Sequence, residues 1–399
     1  MTKDLWLVAV GAGRWQATGI QAACRAGLKV MALDGDSRAQ GFAHAHRSLV
    51  VDIRDEIAVI NAIAETGIRP DGAIAFCNEA GMATTALIRD HFHLPCAGGN
   101  ATRALTNKGI QRAKWAAAKV PGPKWMIVRS EREVPSALTM IGGTVIFKPV
   151  DSAGSRGVSV IRPGERWDHA FLVAKMNSRA QEVIIEAFIV GIEHTIETFT
   201  HQGVTHTLAV TCKRKVPGTD GTVARELESA KLEAETRRRV ESVVRDALAA
   251  LGYTDGPGHT EVLLTDSGGI FLVESAGRGG GFMVADGIVP LTSGFDLSRA
   301  CALQAVGLSP VIPEKLGSRA VVLRFVPSRP GRVSSIHGFG PDDEIPGVVS
   351  ECMVEVGQEV GKASSDGDRM AFILSAGDTL ENARALADAR EKRIVIGVN

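Results

Sequence analysis

Two glutamates and an arginine near the middle of the chain have the residue types and spacing to do chemistry. In HTEVLLTDSGGIFLVESAGRGGG (259–281), Glu261 and Glu274 fall on two predicted strands joined by a short turn. Such a hairpin brings both carboxylates to one place, and magnesium in proteins takes one or two carboxylates together with nucleotide phosphates. Arg278, four residues beyond Glu274, would lie near the same phosphates. The pattern therefore predicts a site for a metal and a phosphorylated ligand; the alternative is a purely structural pair at the rim of a hairpin.

A lysine precedes a turn rich in glycine and serine in VIFKPVDSAGSRGVSVI (145–161). Lys148 is predicted on a strand, and the turn contains Ser152, Gly154, Ser155, Arg156 and Gly157. Backbone N–H groups of such a turn can close over phosphate oxygens while the lysine supplies positive charge. The alternative is an ordinary hairpin with a loose turn. Lys108, at the start of a predicted helix, is of interest because it comes before Lys148 in the chain.

Two further glutamates flank an apolar connection in IIEAFIVGIEHTIETF (184–199). The backbone after Glu186 can offer a purine base a donor and an acceptor, and the Glu193 carboxylate can accept hydrogen bonds from both hydroxyls of a ribose. Alone, these glutamates would be interpreted as solvated strand ends.

A glycine pair near the N-terminus follows the first predicted strand. Gly11 and Gly13 precede a helix, and Asp34 ends the next strand, which is the arrangement of a dinucleotide-binding turn. Gln16 stands where the third glycine of that motif would be. We therefore expect the glycines only to permit a tight strand-to-helix turn; an NAD-dependent oxidoreductase is the alternative.

The elements around these residues predict an α/β half followed by α+β units. Short apolar runs alternate with helices in the first hundred residues, as in a parallel sheet covered by helices. Strands are predicted at 5–10, 29–34 and 72–77, and helices at 15–26, 108–119, 231–251 and 379–391. The predicted domains are an N-terminal Rossmann-like domain (1–105), a linker helix (106–123), a small lid (124–195), and a central and C-terminal α+β domain (196–399).

Composition limits the partners and the compartment. The 399 residues are 45% hydrophobic, enough for two to three domains, and 45 basic residues balance 45 acidic ones. We expect no nucleic-acid or membrane partner, because a chain without net charge has no overall electrostatic field to attract one. The six cysteines are far apart, which predicts reduced buried thiols, and the lack of a leader-like segment or a long apolar run predicts a cytoplasmic protein.

Together these motifs resemble the ATP-grasp superfamily, and within it the carboxylate–amine ligases that include the L-amino-acid (dipeptide) ligases. The resemblance covers nearly the whole chain, including the section from Arg319 onward. It implies an ATP-grasp fold with an N-terminal Rossmann-like (pre-ATP-grasp) domain, a small ATP-lid domain and a larger C-terminal α+β domain. It also implies a ligase that activates a small carboxylic acid as an acyl phosphate and joins it to an amine. By the resemblance, the acid is an amino acid and the amine is a second amino acid.

The resemblance assigns roles to the residues. Lys108 and Lys148 would contact ATP phosphates, with the turn from Ser152 to Gly157 covering them. Glu261 and Glu274 would hold magnesium, and Arg278 would stabilise the activated acyl group. The adenine would be lined by Glu186, Ala187, Phe188 and Ile189, and the ribose would be bound by Glu193. Candidates for the substrate site are His259, Gly279, Gly280, Gly281, Phe282, Arg324 and either Glu226 or Glu228.

One position departs from the family pattern. Many relatives have an asparagine two residues after the second metal glutamate, where this chain has Ala276. The implied cofactors are therefore ATP with one or two Mg²⁺ ions, with Mn²⁺ as a substitute, and a homodimer is compatible with the resemblance. The rival functions are a carboxylase-like or purine-pathway ligase of the same fold, and a nucleotide-binding regulator without turnover.

Overall fold

The computed structural model describes residues 4–96, 99–219, 223–365 and 367–399. Its strands are β1 Trp6–Val10, β2 Lys29–Asp34, β3 Arg47–Val50, β4 Gly72–Ile74, β5 Trp125–Val128, β6 Val145–Pro149, β7 Ser159–Ile161, β8 Val183–Ala187, β9 Ile192–His201, β10 Val204–Lys215, β11 Ala224–Ser229, β12 Gly256–Leu264, β13 Ile270–Ala276, β14 Ala320–Pro327, β15 Gly331–His337, β16 Val348–Cys352, β17 Glu359–Val360, β18 Arg369–Gly377 and β19 Val395–Val398. Its α-helices are α1 Arg14–Arg25, α2 Glu56–Glu65, α3 Met82–Phe92, α4 Gly99–Leu105, α5 Lys108–Ala117, α6 Val134–Ile141, α7 Asp168–Met176, α8 Ala234–Ala250, α9 Val289–Ser293, α10 Leu297–Ala305 and α11 Leu380–Glu391.

The N-terminal region is a parallel four-stranded sheet in the order β3-β2-β1-β4. Four consecutive residues of each strand, 7–10 in β1 and 30–33 in β2, are fully buried, as expected for a parallel sheet covered by helices on both faces. The third predicted strand is shorter than expected and stops at Ile74, and Cys77 has a φ of +46°. The glycine turn is tight: a Cβ on Gly11 would lie 2.2 Å from the Asn78 side chain, and Asp34 accepts a hydrogen bond from Ala12 N. This geometry fits the structural interpretation of the glycines.

The lid is an antiparallel four-stranded sheet in the order β5-β8-β6-β7. Helices α6 and α7 cover one face, where Phe147 and Phe171 are buried in the lid's own hydrophobic cluster. The predicted lid boundary at residue 195 falls inside β9, which belongs to the next sheet. The lid sheet therefore ends a few residues earlier than the sequence pattern indicated.

An eight-stranded sheet in the order β13-β12-β9-β10-β11-β14-β18-β16 forms the centre of the molecule. Helix α8 packs on one face with Val240, Val244 and Leu248, the apolar stripe that the helical periodicity predicts. Helix α11 packs against β18 and β14, and a three-stranded sheet, β17-β15-β19, completes the C-terminal region. Because neighbouring residues of a strand point to opposite faces, this sheet carries two separate sets of side chains.

Two expectations from composition concern the whole chain. All six cysteines are free thiols, although only Cys301 is fully buried. In the described ranges, we find no helix with the length and apolarity needed to span a membrane.

Candidate active site

A cavity of about 390 Å³ lies between the lid and the central sheet. It brings together most of the predicted nucleotide and metal residues: Lys108, Lys148, Ser152, Gly154, Ser155, Arg156, Glu186, Ala187, Phe188, Ile189, Glu193, Glu261 and Glu274. Gly157 does not line it and instead packs against Pro149 and Asn177. Residues separated by more than 160 positions in the sequence thus share one enclosed space.

The two predicted metal glutamates are direct neighbours across a hairpin. Glu261 of β12 and Glu274 of β13 are paired in register, and both line the cavity. The register shifts immediately after this pair, between Glu261 and Val262, and such irregularities re-aim side chains. The hairpin therefore presents two carboxylates at one place, as the spacing predicts.

Lys108 connects this carboxylate pair to the lid. Its Nζ lies 2.6 Å from Glu274 Oε2 and donates a hydrogen bond of 2.7 Å to the Ser152 carbonyl oxygen. Burial alone would lower the pKa of Lys108, but the Glu274 carboxylate beside it raises that pKa instead. Lys108 is thus a charged ammonium that contacts one predicted metal ligand, Glu274, and the predicted phosphate turn.

The predicted phosphate turn has a backbone that suits close contacts. Gly154, Ser155 and Gly157 all have positive φ, at +67°, +61° and +73°. Glycine adopts such angles without strain, whereas Ser155 is an uncommon residue there. Turns in which left-handed and right-handed residues follow one another can direct backbone N–H groups to one side, a geometry that binds anions.

Lys148 is held by a buried ion-pair network that sequence reasoning did not find in full. Its Nζ lies 2.8 Å from Glu186 Oε2, and the other carboxylate oxygen lies 2.6 Å from Arg112 Nε. Burial alone would raise the pKa of Glu186, but Arg112 and Lys148 together lower it to about 2. The Glu186 carboxylate is thus occupied with positioning Lys148. Arg112 lies one helical turn after Lys108 and was not predicted from the sequence; its i, i+4 spacing from Lys108 was the available signal.

Lys213 and Lys215 of β10 were also missed. Lys213 Nζ lies 2.6 Å from Glu193 Oε1 and also pairs with Glu261 Oε1, while Lys215 Nζ lies 2.7 Å from Glu193 Oε2. Burial raises the pKa of Glu261, but Lys213 and His259 outweigh it and hold that pKa well below its ordinary value. The alternation Lys-Arg-Lys in a strand was the sequence signal, since it places both lysines on one face.

His259 and the buried Glu197 link the carboxylate pair to the glycine-dense loop. Glu197 pairs through Oε1 with His259 Nδ1 and accepts a hydrogen bond of 3.1 Å from Gly280 N through Oε2. The other ring nitrogen, Nε2, lies 3.5 Å from Glu261 Oε1. Burial would lower the pKa of His259, but the Glu197 carboxylate raises it to about 9. His259 is accordingly an imidazolium between two carboxylates.

Arg278 lies at the other end of the metal hairpin, paired with a residue from the N-terminal region. Its Nε donates to Glu79 Oε2 at 2.7 Å, and its Nη1 donates to the Gly279 carbonyl oxygen at 3.1 Å. Burial alone would lower the pKa of the Arg278 guanidinium, but the negative charges of Glu79 and Glu274 raise it. The pair places a cation and an anion next to each other at the border of two domains; Glu79 carried no signal in the sequence.

The remaining substrate candidates fall in two places. Phe282, with a φ of +50°, packs against Trp15 and beneath the Arg369 guanidinium, at the end of the glycine-dense loop that contains Gly281. Arg324 pairs with Glu226 and with Asp388 and Glu391 of α11, and Glu228 is bound by Arg214 and Arg384.

Glu226 and Arg324 are not brought to the cavity. Glu226 is in register with Arg214, whose neighbour Lys213 points to the cavity side. Because alternate strand residues face opposite sides, Glu226 lies on the face covered by α11. There it holds the C-terminal helix, and a direct contact with substrate stays a prediction.

The donor set fits magnesium bound together with a nucleotide. Among the described residues, no three His, Cys, Asp or Glu side chains are grouped so as to hold a metal by themselves. Two in-register carboxylates are hard oxygen donors, and Mg²⁺ commonly completes its shell with phosphate oxygens and water. Ala276 is buried and adds no ligand. Glu261 and Glu274 are therefore the residues that would hold the ion.

Comparison with known families agrees with this geometry. Residues 141–286 match the family described as "ATP-grasp domain", a range that contains three of the four lid strands, the carboxylate hairpin and Arg278. The chain therefore contains an ATP-grasp domain. Residues 324–399 match the family described as "L-amino acid ligase C-terminal domain 2".

Two solved structures share the ATP-grasp architecture over the full length. An L-amino acid ligase from Bacillus licheniformis superposes with a TM-score of 0.84 at 21% identity, covering 100% of both chains. A phosphoribosylglycinamide synthetase from Anaerococcus prevotii superposes with a TM-score of 0.78 at 19% identity, also covering 100% of both. At these identities the likeness shows the fold, with the N-terminal, lid and central regions in the predicted order.

A curated relative has higher sequence identity over part of the chain. The formate-dependent phosphoribosylglycinamide formyltransferase of Pectobacterium carotovorum is 30% identical over 237 residues, which are 57% of this chain and 58% of that protein. The chain thus spans less than two thirds of the length of the curated relatives it matches.

Proposed function

We propose that this chain is an ATP-dependent, ADP-forming ligase that joins a small carboxylic acid to an amine through an acyl phosphate. The acid is proposed to be an amino acid and the amine a second amino acid, so that the product is a dipeptide. The observation that carries the proposal is the register pairing of Glu261 with Glu274 inside the cavity that also contains Lys108 and Lys148. These are the charges that a metal–triphosphate complex requires.

The proposed reaction has two steps. The carboxylate oxygen of the acid attacks the γ-phosphorus of ATP, so that an acyl phosphate forms and ADP leaves. The amine then attacks the acyl carbon, phosphate leaves with the electron pair of the broken C–O bond, and the amine loses a proton. When bound, magnesium would neutralise charge on the transferring phosphoryl group.

The chain's own residues have distinct tasks in these steps. Lys148, fixed by Glu186, and Lys108 would bind the phosphate oxygens. Arg278, fixed by Glu79, would bind the reacting carboxylate and then the oxygen that becomes negative when the amine attacks. The turn from Ser152 to Gly157 would exclude the water that hydrolyses acyl phosphates.

An amino acid as the acid is supported by the Arg278–Glu79 pair. A guanidinium and a carboxylate side by side can bind the carboxylate and the ammonium group of one zwitterion, respectively. The match of residues 324–399 to an L-amino acid ligase C-terminal domain supports the same class of substrate.

A second candidate is formyl transfer from formate to phosphoribosylglycinamide. It is supported by the curated relatives, which carry that activity in their names and are up to 30% identical to this chain. The same acyl-phosphate chemistry would apply, with formate as the acid. The two candidates differ only in the acid and the amine.

The deciding experiment is a screen for phosphate release with purified protein, ATP and Mg²⁺. Pairs of amino acids form one arm, formate with phosphoribosylglycinamide forms the second, and mass spectrometry identifies the products. Phosphate release that needs two amino acids, with a dipeptide mass, supports the first proposal. Release only with formate selects the second candidate. Release that no acid stimulates, or none at all, would leave a nucleotide-binding regulator as the better account.

A further inference from the structure

Lys213 occupies a position between two groups that a bound metal–nucleotide complex would need. Its ammonium pairs with Glu193, the predicted ribose ligand, and with Glu261, a predicted metal ligand. The lysine side chain is only 10% exposed. A cation in this place is fixed by two carboxylates from different strands, β9 and β12, and it is close to both ends of the nucleotide cavity.

Each of the two predicted metal ligands already forms an ion pair with a lysine. Lys213 pairs with Glu261, and Lys108 pairs with Glu274 at 2.6 Å. Lys215 pairs with the second oxygen of Glu193. Three ammonium groups therefore balance three carboxylates in this part of the cavity. The arrangement is neutral without any ligand.

The Lys213–Glu261 pair has a consequence for metal binding. A divalent cation that binds Glu261 through Oε1 competes with Lys213 for that oxygen. If the metal arrives alone, the displaced ammonium remains in a largely buried site with fewer counter-charges, which is costly. If the metal arrives with a triphosphate, the ammonium can bind a phosphate oxygen instead.

We propose that Lys213 holds Glu261 in the ligand-free protein and moves to a phosphate oxygen when the metal–nucleotide complex enters. Lys213 is thereby a positioning residue that makes metal and nucleotide bind together. Metal alone binds weakly because Lys213 opposes it, and nucleotide removes that opposition. The proposal rests on the proposed function only in that a nucleotide binds the cavity.

The test measures Mn²⁺ binding, by electron paramagnetic resonance and calorimetry, without any nucleotide. Lys213→Met should bind Mn²⁺ about tenfold more tightly than the wild type, because a competing ion pair of ordinary strength has been removed. Lys213→Arg, which keeps a cation at the same place, should stay near the wild-type affinity. Lys215→Met is the matched control, because Lys215 contacts Glu193 and not Glu261. It should change Mn²⁺ affinity by less than about twofold.

A second measurement repeats the titration with a non-hydrolysable ATP analogue. The analogue should increase the Mn²⁺ affinity of the wild type by a larger factor than that of Lys213→Met, since the variant lacks the ammonium that moves from Glu261 to a phosphate oxygen. The proposal is overturned if Lys213→Met binds Mn²⁺ no more tightly than the wild type, or if Lys213→Arg gains as much as Lys213→Met. Thermal unfolding of each variant shows whether it folds. If Lys213→Met has a folding defect, Lys213→Arg and Lys215→Met are compared instead. Tighter Mn²⁺ binding by Lys213→Arg than by Lys215→Met contradicts the proposal, and wild-type Mn²⁺ affinity of Lys213→Arg supports it.

These measurements are independent of turnover. Mn²⁺ affinities as expected, combined with no product in the phosphate-release screen, would support the role of Lys213 and reject the ligase activity. Active ligase with unchanged Mn²⁺ affinity in Lys213→Met would do the reverse.

Discussion

Arg112 Nε and Glu186 Oε1 lie 2.6 Å apart, in an ion pair that joins the linker helix to the lid, and both side chains are almost completely buried. Arg112 also donates a hydrogen bond of 2.6 Å to the Val273 carbonyl oxygen, next to the metal glutamate Glu274. The same Glu186 carboxylate holds Lys148. One buried carboxylate therefore fixes the lid lysine relative to the metal hairpin, so its loss should affect both stability and nucleotide binding.

Replacing Glu186 with glutamine should destabilise the protein strongly. Removing one partner of a buried ion pair leaves the other charge uncompensated, which costs about 3–5 kcal/mol. Urea unfolding at neutral pH, followed by tryptophan fluorescence because Trp115 packs beside Arg112, measures the change. The control is Arg129→Met, which breaks the Arg129–Glu182 pair in the same domain; Arg129 is 68% exposed, and the loss should stay below about 1 kcal/mol. Equal losses in the two variants would contradict the assigned role.

The cost of Glu186→Gln should depend on pH in a defined direction. Folding lowers the pKa of this buried carboxyl from 4.5 to about 2, so its contribution is complete above pH 4.5 and disappears as the pH falls through about 2. The contribution amounts to about 3 kcal/mol. The difference in unfolding free energy between wild type and variant should therefore shrink by about half or more from pH 6 to pH 3. A difference that stays constant over this range would show that folding does not lower the pKa of Glu186.

Much of the site was predictable because it depends on local patterns. The hairpin that pairs Glu261 with Glu274 follows from two apolar runs around a turn, and Lys148 follows from a strand before a glycine-rich segment. Helical periodicity likewise placed the stripe of α8 in the core. In each case the signal lies within about twenty residues, so no tertiary information is required.

The missed residues depend on contacts between distant parts of the chain. Glu79 meets Arg278 across 199 positions, and Arg112 meets Val273 across 161. Lys213 reaches Glu261 because β10 and β12 are separated in the sheet by one strand, β9. Glu226 and Arg324 were candidates because they are charged residues on predicted strands. In the folded sheet they lie on the face away from the cavity. Local spacing does not determine strand order, so these relationships required the structure.

Arg278→Ala should lower the rate of product formation with little change in ATP affinity. Arg278 is proposed to stabilise charge that develops during the reaction, and loss of one such donor typically reduces turnover by about 10²–10³-fold. Steady-state kinetics with the substrates found in the screen, together with calorimetric binding of an ATP analogue, separate the two effects. Glu79→Gln is the companion variant and should show a smaller loss, because Arg278 remains but is no longer held by a carboxylate. Near-normal turnover of Arg278→Ala would refute the role.

Gly280→Ala should destabilise the glycine-dense loop, whereas Gly281→Ala should not. A Cβ at Gly280 would lie 2.6 Å from Val284 Cγ1 and 2.8 Å from His259 Nδ1, while at Gly281 no atom lies within 4 Å. Overpacking of this kind costs about 1–3 kcal/mol, and a substitution into open space stays within about 0.5 kcal/mol. Thermal unfolding of the two adjacent variants gives the comparison. Similar stabilities would mean that the loop does not approach His259 as closely as the structure shows.

Nucleotide should protect the turn from Ser152 to Gly157 against proteolysis. Arg156 lines the cavity and is a trypsin site in that turn, so a ligand bound beneath it should hold the turn in place. At an ATP-analogue concentration about 100 times its Kd, with Mg²⁺, cleavage after Arg156 should slow by about tenfold or more. Arg166 provides an internal control, because its side chain is 91% exposed and does not line the cavity, so its cleavage should be unchanged. Mass spectrometry of the early fragments distinguishes the two cuts. Equal protection of both sites would indicate general stabilisation of the lid, and no protection at Arg156 would mean that the turn does not close over the nucleotide.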